Sequence, residues 1–367
     1  MKQDVRSDGQ RRLLWCLKAA ASVALVAVMF VFVLPLVVGA TWSQLPRALS
    51  RVSLLDLVLL TGLWISGLVV HTVALTAAMP PLSHRRALTL SLTGSAVSNV
   101  SPLAGAVGIG LNYHMSRVWG FSRAEFVVFT FVTNLWDVMS KLLIPAVILA
   151  TLVTRSRLTQ GLMTYTAVVT MATLAALLLV VLTVVLSEPA ARVVARGIDL
   201  VVSGVLYLIR RPAHVEVMSG FLDLRARSSN RIRISWSRLT AAHVAYAALL
   251  LALLWSCLRL TGSGLTPSQI LAGFAVERLL TLAFLTPGGA GVVEVGLAGF
   301  LVAAGGDPVG TVAGVLLYRA FTFLLEIPVG GTLLAGWVWM RRRAPRLSPH
   351  PVEPQRALVT ANGEAPR

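Results

Sequence analysis

Between Glu277 and Glu294 an apolar run is broken by Thr286-Pro287-Gly288-Gly289-Ala290-Gly291, and Glu277, Arg278 and Glu294 flank the break. No other feature restricts the fold as strongly. A broken helix facing lipid leaves N–H and C=O groups without partners, so the break must lie inside protein or line a wet cavity. Broken apolar helices with nearby charges are a recurrent way of building substrate sites in transporters.

The rest of the chain agrees with a membrane setting. Charged residues make up 13% of the sequence and mean hydropathy is +0.79, against about 25% charge in a soluble domain. Several uncharged runs exceed the roughly 20 residues that cross a bilayer core. The sequence therefore predicts an all-α polytopic membrane protein, with about six transmembrane helices plus two broken re-entrant helical hairpins. The expected spans are 13–39, 54–78, 124–153, 162–186, 239–260 and 309–340. The broken segments are 87–118, interrupted around Pro102, Gly105, Gly108 and Gly110, and 268–304, interrupted at Pro287–Gly291. Residues 1–12 precede a retained signal anchor, and the flippase-like membrane unit runs over 13–340 in halves of about 13–153 and 162–340. A basic insert covers 188–238, and a basic tail over 341–367 reads as disordered.

The formal charge of +17 does not point to nucleic acid, because the basic residues collect at span ends and in loops, where they set topology and meet anionic head groups. With both broken segments re-entrant, 23 of the 32 Lys and Arg fall on one side, in the N-terminus, the 79–123 region, the insert and the tail. By the positive-inside bias that side is cytoplasmic and holds both termini, in the cell membrane. This threading exposes a repeat. An offset of 185 pairs Pro102 with Pro287, Gly120 with Gly305 and Lys141 with Glu326, and each half reads span, span, broken segment, span. The halves start from opposite sides, which defines an inverted-topology repeat, a common basis for alternating access.

Ionisable residues inside membrane segments are functional candidates by default, at roughly 2.5–3.5 kcal/mol each on insertion scales. Those of the second half are Glu277, Arg278, Glu294, Arg319 and Glu326. Arg278 and Arg319 are candidates to hold a lipid phosphate, assisted by free N–H groups at Gly288, Gly289 and Gly291. Glu294 or Glu326 then balance charge, carry a proton or meet a cationic head group. The plainer reading is snorkelling at the membrane interface. In the first half, Asp137 and Lys141 are either site residues or a self-neutralising i,i+4 pair. Asn99, Ser95, Ser98, Ser101 and Asn112 offer neutral hydrogen bonds beside Pro102, unless small-residue helix packing explains the segment. The six histidines show no metal-ligand spacing, and no Walker loop, dinucleotide fingerprint or nucleophile elbow is present. No metal, cofactor or catalytic activity is expected.

Pro287-Gly288-Gly289-Ala290-Gly291-Val292-Val293-Glu294, followed by Gly305 and Leu317-Tyr318-Arg319, resembles the signature of the lysylphosphatidylglycerol synthase transmembrane-region family, also called the flippase-like domain family. Asn99-Val100-Ser101-Pro102-Leu103-Ala104-Gly105 fits its first-half pattern. The resemblance covers about residues 10–340. It implies an integral inner-membrane protein that moves a phosphate- or sugar-headed lipid, an anionic phospholipid or a glycolipid, across the membrane. The 27 residues after Met340 are too few for the cytosolic aminoacyl-transferase domain of bifunctional members, so no synthase activity is expected. The alternatives are a non-catalytic accessory subunit docked on a lipid-pathway enzyme and a membrane-embedded lipid-linked transferase using Asp137 or Glu294 as base. Oligomeric state is not readable from the sequence.

Overall fold

The computed structural model describes residues 28–39, 41–101, 104–155, 176, 179, 217–282 and 287–343. These are helical throughout, with no strand among them. A π turn over Met29–Val33 leads into α1 (Leu34–Val38), and α2 (Leu45–Leu49) follows. Then come α3 (Leu54–Ala78), α4 (His84–Val100), α5 (Ala104–Val118), α6 (Arg123–Arg155), α7 (Val217–Leu260), α8 (Pro267–Leu280), α9 (Val292–Ala303) and α10 (Pro308–Arg319). A second π turn, Ala320–Leu324, joins α10 to α11 (Glu326–Arg343). Among the described residues, four helices are long and apolar enough to cross a membrane: Leu54–Ala78, Arg123–Thr154, Arg231–Leu260 and Pro308–Arg343. The expected span 54–78 coincides with α3. The expected spans 162–186 and most of 13–39 lie outside the described residues, as do Pro102 and the tail beyond Arg343, while the tail's first three residues, expected to be disordered, close α11 as helix. The helix expected from Leu239 begins earlier, at Val217. Its 44 residues reach about 66 Å, twice the thickness of a bilayer core. The arginines from Arg225 to Arg238 therefore stand on an extension of this helix.

Local chemistry sets the ends of these helices. Ser53 and Asp56 form a capping box at the start of α3, as do Thr266 and Gln269 at the start of α8, where Pro267 takes the first turn. Each broken segment is a helical hairpin. In the first, Thr93 lies against Met115, while a side chain on Gly94 would meet Asn112 and one on Gly108 would meet Ser98. In the second, Gln269 reaches the Ala304 carbonyl, Gly273 lies against Leu301 and Gly296 against Leu280. In both, rising numbers on one arm face falling numbers on the other, so the arms are antiparallel.

The repeat is written into the backbone. Helices α5 and α9 end 185 residues apart, at Val118 and Ala303, and α6 and α10 start 185 apart, at Arg123 and Pro308. Between them Gly120 (φ 90°) and Gly305 (φ 106°) occupy the left-handed region that favours glycine. Both ends close with the same bond, Phe121 N–H to the Ser116 carbonyl and Gly306 N–H to the Leu301 carbonyl. Both following helices are capped from equivalent positions, by Ser122 on the Glu125 N–H and by Asp307 on the Gly310 N–H.

Packing follows the same exchange, with α4 lying on α11 and α8 on α6. The repeat mates α3 and α7 pack side by side. Gly67 faces Tyr246, His71 lies beside His243, and Asp56 shares a groove with Arg259. They run antiparallel, so the two halves have opposite senses, as an inverted repeat requires. Each half keeps its own apolar core, one built on Leu90, Met115, Phe126 and Val132 and the other on Leu258, Phe274, Leu297 and Tyr318.

Candidate functional site

The second hairpin carries the densest charge. Glu294 lies in the first turn of α9 and is 2% exposed. Its Oε2 accepts the Gly291 N–H at 2.7 Å, and its Oε1 accepts Arg319 Nε at 2.7 Å. A carboxylate suits this place, because the start of a helix offers unpaired N–H groups and partial positive charge. A second Arg319 nitrogen donates to the Gly288 carbonyl at 3.0 Å. The arginine thus clamps both sides of the break, and its guanidinium also lies 4.9 Å from the centre of the Phe323 ring. Gly288, Gly289 and Gly291 all have positive φ, at 58°, 72° and 84°. Pro287 opens the short 3-10 turn between them.

A second ion pair lies nearby. Arg278 donates Nε and Nη2 to the two oxygens of Glu277 at 2.5 and 2.7 Å. The Tyr318 hydroxyl donates to Glu277 Oε1 at 3.2 Å. Glu277 and Tyr318 are 1% and 0% exposed. Both arginines that the sequence offers to a lipid phosphate are therefore committed to carboxylates on the protein. Two charges removed from water hold together only with such geometry and with their remaining hydrogen bonds satisfied.

Asn99 joins the hairpins. A side chain on Gly288 would meet Asn99 Oδ1 and Phe323, and Asn99 Nδ2 donates to the Phe323 carbonyl at 3.3 Å. That carbonyl belongs to the π turn Ala320–Leu324, which precedes Pro328. Such a turn, next to a residue with no N–H, leaves carbonyls in need of outside donors. The end of α4 and the turn of the second hairpin thus meet at one point.

The first half holds a cavity of about 310 Å³. Its wall comes from α3, α4, α5, α6 and α7 and includes His71, Ser91, Ser95, Ser98, Asn112, Thr130, Thr133, Asn134, Asp137 and His243. Asp137 Oδ2 accepts Lys141 Nζ at 2.7 Å, with 49% of the aspartate side chain exposed and 18% of the lysine's. His71 Nδ1 lies 3.2 Å from Ser91 Oγ, and His71 stacks on Tyr246 at 5.0 Å. Beside this polar cavity runs an apolar groove of about 480 Å³ lined by Val127, Phe131, Leu135 and Val138. The two share Ile109, Phe126, Thr130 and Asn134.

The sequence candidates thus fall into two groups. Glu294, Arg319, Gly288, Gly289, Gly291 and Asn99 meet at the break, with Arg278 paired to Glu277 nearby. Asp137 and Lys141 stand apart, at the polar cavity. Glu326 faces Ser95, a residue of the cavity wall, and lines a small void with Trp64, Gly67 and Tyr246. The sequence reading missed His71 and His243, which it tested only for metal spacing. Both are ionisable residues inside apolar spans, the signal that singled out the other charges. Among the described residues no group of three His, Cys, Asp or Glu is placed to hold a metal ion.

An all-helical bundle with four long apolar candidate spans and two antiparallel hairpins is the architecture of a polytopic membrane protein. The chain belongs to the lysylphosphatidylglycerol synthase transmembrane-region family, whose model matches residues 19–330. No curated protein matches it.

Proposed function

We propose that this protein is a lipid translocator of the cell membrane, with the lipid head group in the first-half cavity and an acyl chain in the adjoining groove. The observation that carries this reading is the junction at Ile109, Phe126, Thr130 and Asn134. There a wall of hydroxyls, amides, imidazoles and one carboxylate set among apolar side chains adjoins a surface that is almost wholly apolar. An amphiphile needs both surfaces next to each other, because stripping a polar head of water is costly unless its hydrogen bonds are replaced.

Both hairpins are re-entrant in this reading. Their arms have 17, 15, 14 and 12 residues, or at most about 26 Å of helix, short of a 30 Å hydrocarbon core. In an inverted repeat they enter from opposite faces, and the meeting of Asn99 with Gly288 supports tips that touch in mid-membrane. The charge bias places the first hairpin and both termini on the cytoplasmic side. Rocking of one half against the other would expose the cavity to either face.

The test is translocation of a fluorescent lipid in vesicles holding the purified protein, read by quenching of the outer leaflet. The Val127→Trp variant fills the groove without replacing a member of any of the three ion pairs, and translocation should fall at least about tenfold. No translocation of any phospholipid or glycolipid by the unaltered protein would overturn the proposal.

A further inference from the structure

The polar cavity also bears on the chemistry of the head group, in an inference that rests on the translocation reading. Its wall offers short uncharged donors and acceptors: Ser98, Asn112, Thr130, Thr133 and Asn134. Asn112 Oδ1 is buried and has no hydrogen-bond partner. A buried amide oxygen without a donor costs about 1–3 kcal/mol, so a ligand hydroxyl or a water is called for at that point.

Among the described residues no unpaired lysine or arginine lines this space. Lys141 is spent on Asp137, and the carboxylate is the more exposed partner, 49% against 18%. Arg278 and Arg319 are paired with Glu277 and Glu294 and do not line the cavity. His71 and His243 direct Nδ1 to Ser91 Oγ and to the Leu239 carbonyl. An anionic head would therefore meet a carboxylate and no counter-charge, at the cost of its own desolvation. A cationic head would have to compete with Lys141, which is already within hydrogen-bond distance. Neutral hydroxyls exchange hydrogen bonds with Ser, Thr and Asn one for one, since each such group both donates and accepts.

We infer that the cavity selects an uncharged, hydroxyl-rich head group, that of a glycosyl diacylglycerol, over phosphate-bearing or amine-bearing heads.

The experiment measures equilibrium binding to the purified full-length protein in nanodiscs. The probes are chain-matched fluorescent glucosyl diacylglycerol, phosphatidylglycerol and lysylphosphatidylglycerol, at pH 8, where free imidazole is uncharged. The glucosyl lipid should bind about tenfold more tightly than either charged lipid. Asn112→Leu and Thr130→Val should each weaken it about fivefold or more and leave the charged lipids unchanged. Thr130→Val is nearly isosteric, so it reports even where Asn112→Leu folds poorly. Equal or tighter binding of a charged lipid, or an unaltered affinity in Thr130→Val, would overturn the assignment. The same lipids in the vesicle assay separate the two proposals. Selective binding without translocation upholds the head-group assignment and sinks the translocator. Translocation without selective binding does the reverse.

Discussion

The two hairpins share their antiparallel fold, their exit caps and their packing onto the other half, yet their interiors are opposites. The first borders a cavity whose one ion pair, Asp137 with Lys141 on α6, is only partly covered by protein. The second packs arm on arm, Gly273 against Leu301 and Gly296 against Leu280, and the two ion pairs beside it are buried. Equivalent positions show the substitution directly. Asn112, on the cavity wall, corresponds to buried Leu297, and Thr133 to buried Tyr318. Asn134 corresponds to Arg319, which clamps the break. The two copies of the frame share their backbone signals, while one borders a cavity and the other carries buried ion pairs.

The largest effect should separate the two ion pairs. Arg319→Met leaves Glu294 charged and buried without its partner, and removing one member of such a pair costs about 3–5 kcal/mol. Asp137→Asn on α6 breaks an i,i+4 pair whose carboxylate is much less enclosed than Glu294, and should cost less than Arg319→Met. Denaturant unfolding in detergent checks both. The double variant Arg319→Met with Glu294→Gln should recover much of the loss, since an amide oxygen still accepts the Gly291 N–H. Equal costs for Arg319→Met and Asp137→Asn would erase the distinction between anchor and site.

A smaller effect tests the same contrast at glycines. Gly288 has φ 58°, and an added Cβ would lie 2.4 Å from Phe323 and 2.6 Å from Asn99. Gly288→Ala should destabilise by about 1–3 kcal/mol. Gly110 stands inside α5 with nothing within 4 Å of such a Cβ. Gly110→Ala should be neutral or stabilise by up to about 1 kcal/mol through helix propensity. Melting temperatures measured side by side decide it.

How far this was legible depended on whether the signal was local. The break at Pro287–Gly291, the span 54–78 and the inverted order of elements were readable, because proline, glycine and long apolar runs act on the backbone where they stand. The pairings were not. Arg319 and Glu294 are 25 residues apart, and spacing alone left Arg319 equally suited to a lipid phosphate or to a carboxylate. The cavity was half visible, in Ser95, Ser98, Asn112 and Asp137. His71 and His243 went unread because their meeting depends on the antiparallel contact of α3 and α7, on which no local pattern bears. The early start of α7 at Val217 escaped for a different reason, since its many arginines read as an insert rather than as helix projecting beyond the hydrocarbon.

The smallest effect concerns Asn99, a side chain of the first hairpin that reaches the break of the second. Asn99→Ala loses a neutral hydrogen bond to the Phe323 carbonyl, worth about 0.5–1.5 kcal/mol. Asn99 is also one of the two groups an alanine at position 288 would strike. Combined with Gly288→Ala it should therefore remove part of that variant's strain, so the double variant should be more stable than the sum of the singles by about 0.5 kcal/mol or more. Additive losses in that cycle would mean that the end of α4 and the second break are neighbours without mechanical contact. The second hairpin would then have no direct hold on the first at this point, and coupling between the halves would have to pass through their other contacts, among them α4 on α11, α8 on α6 and α3 on α7.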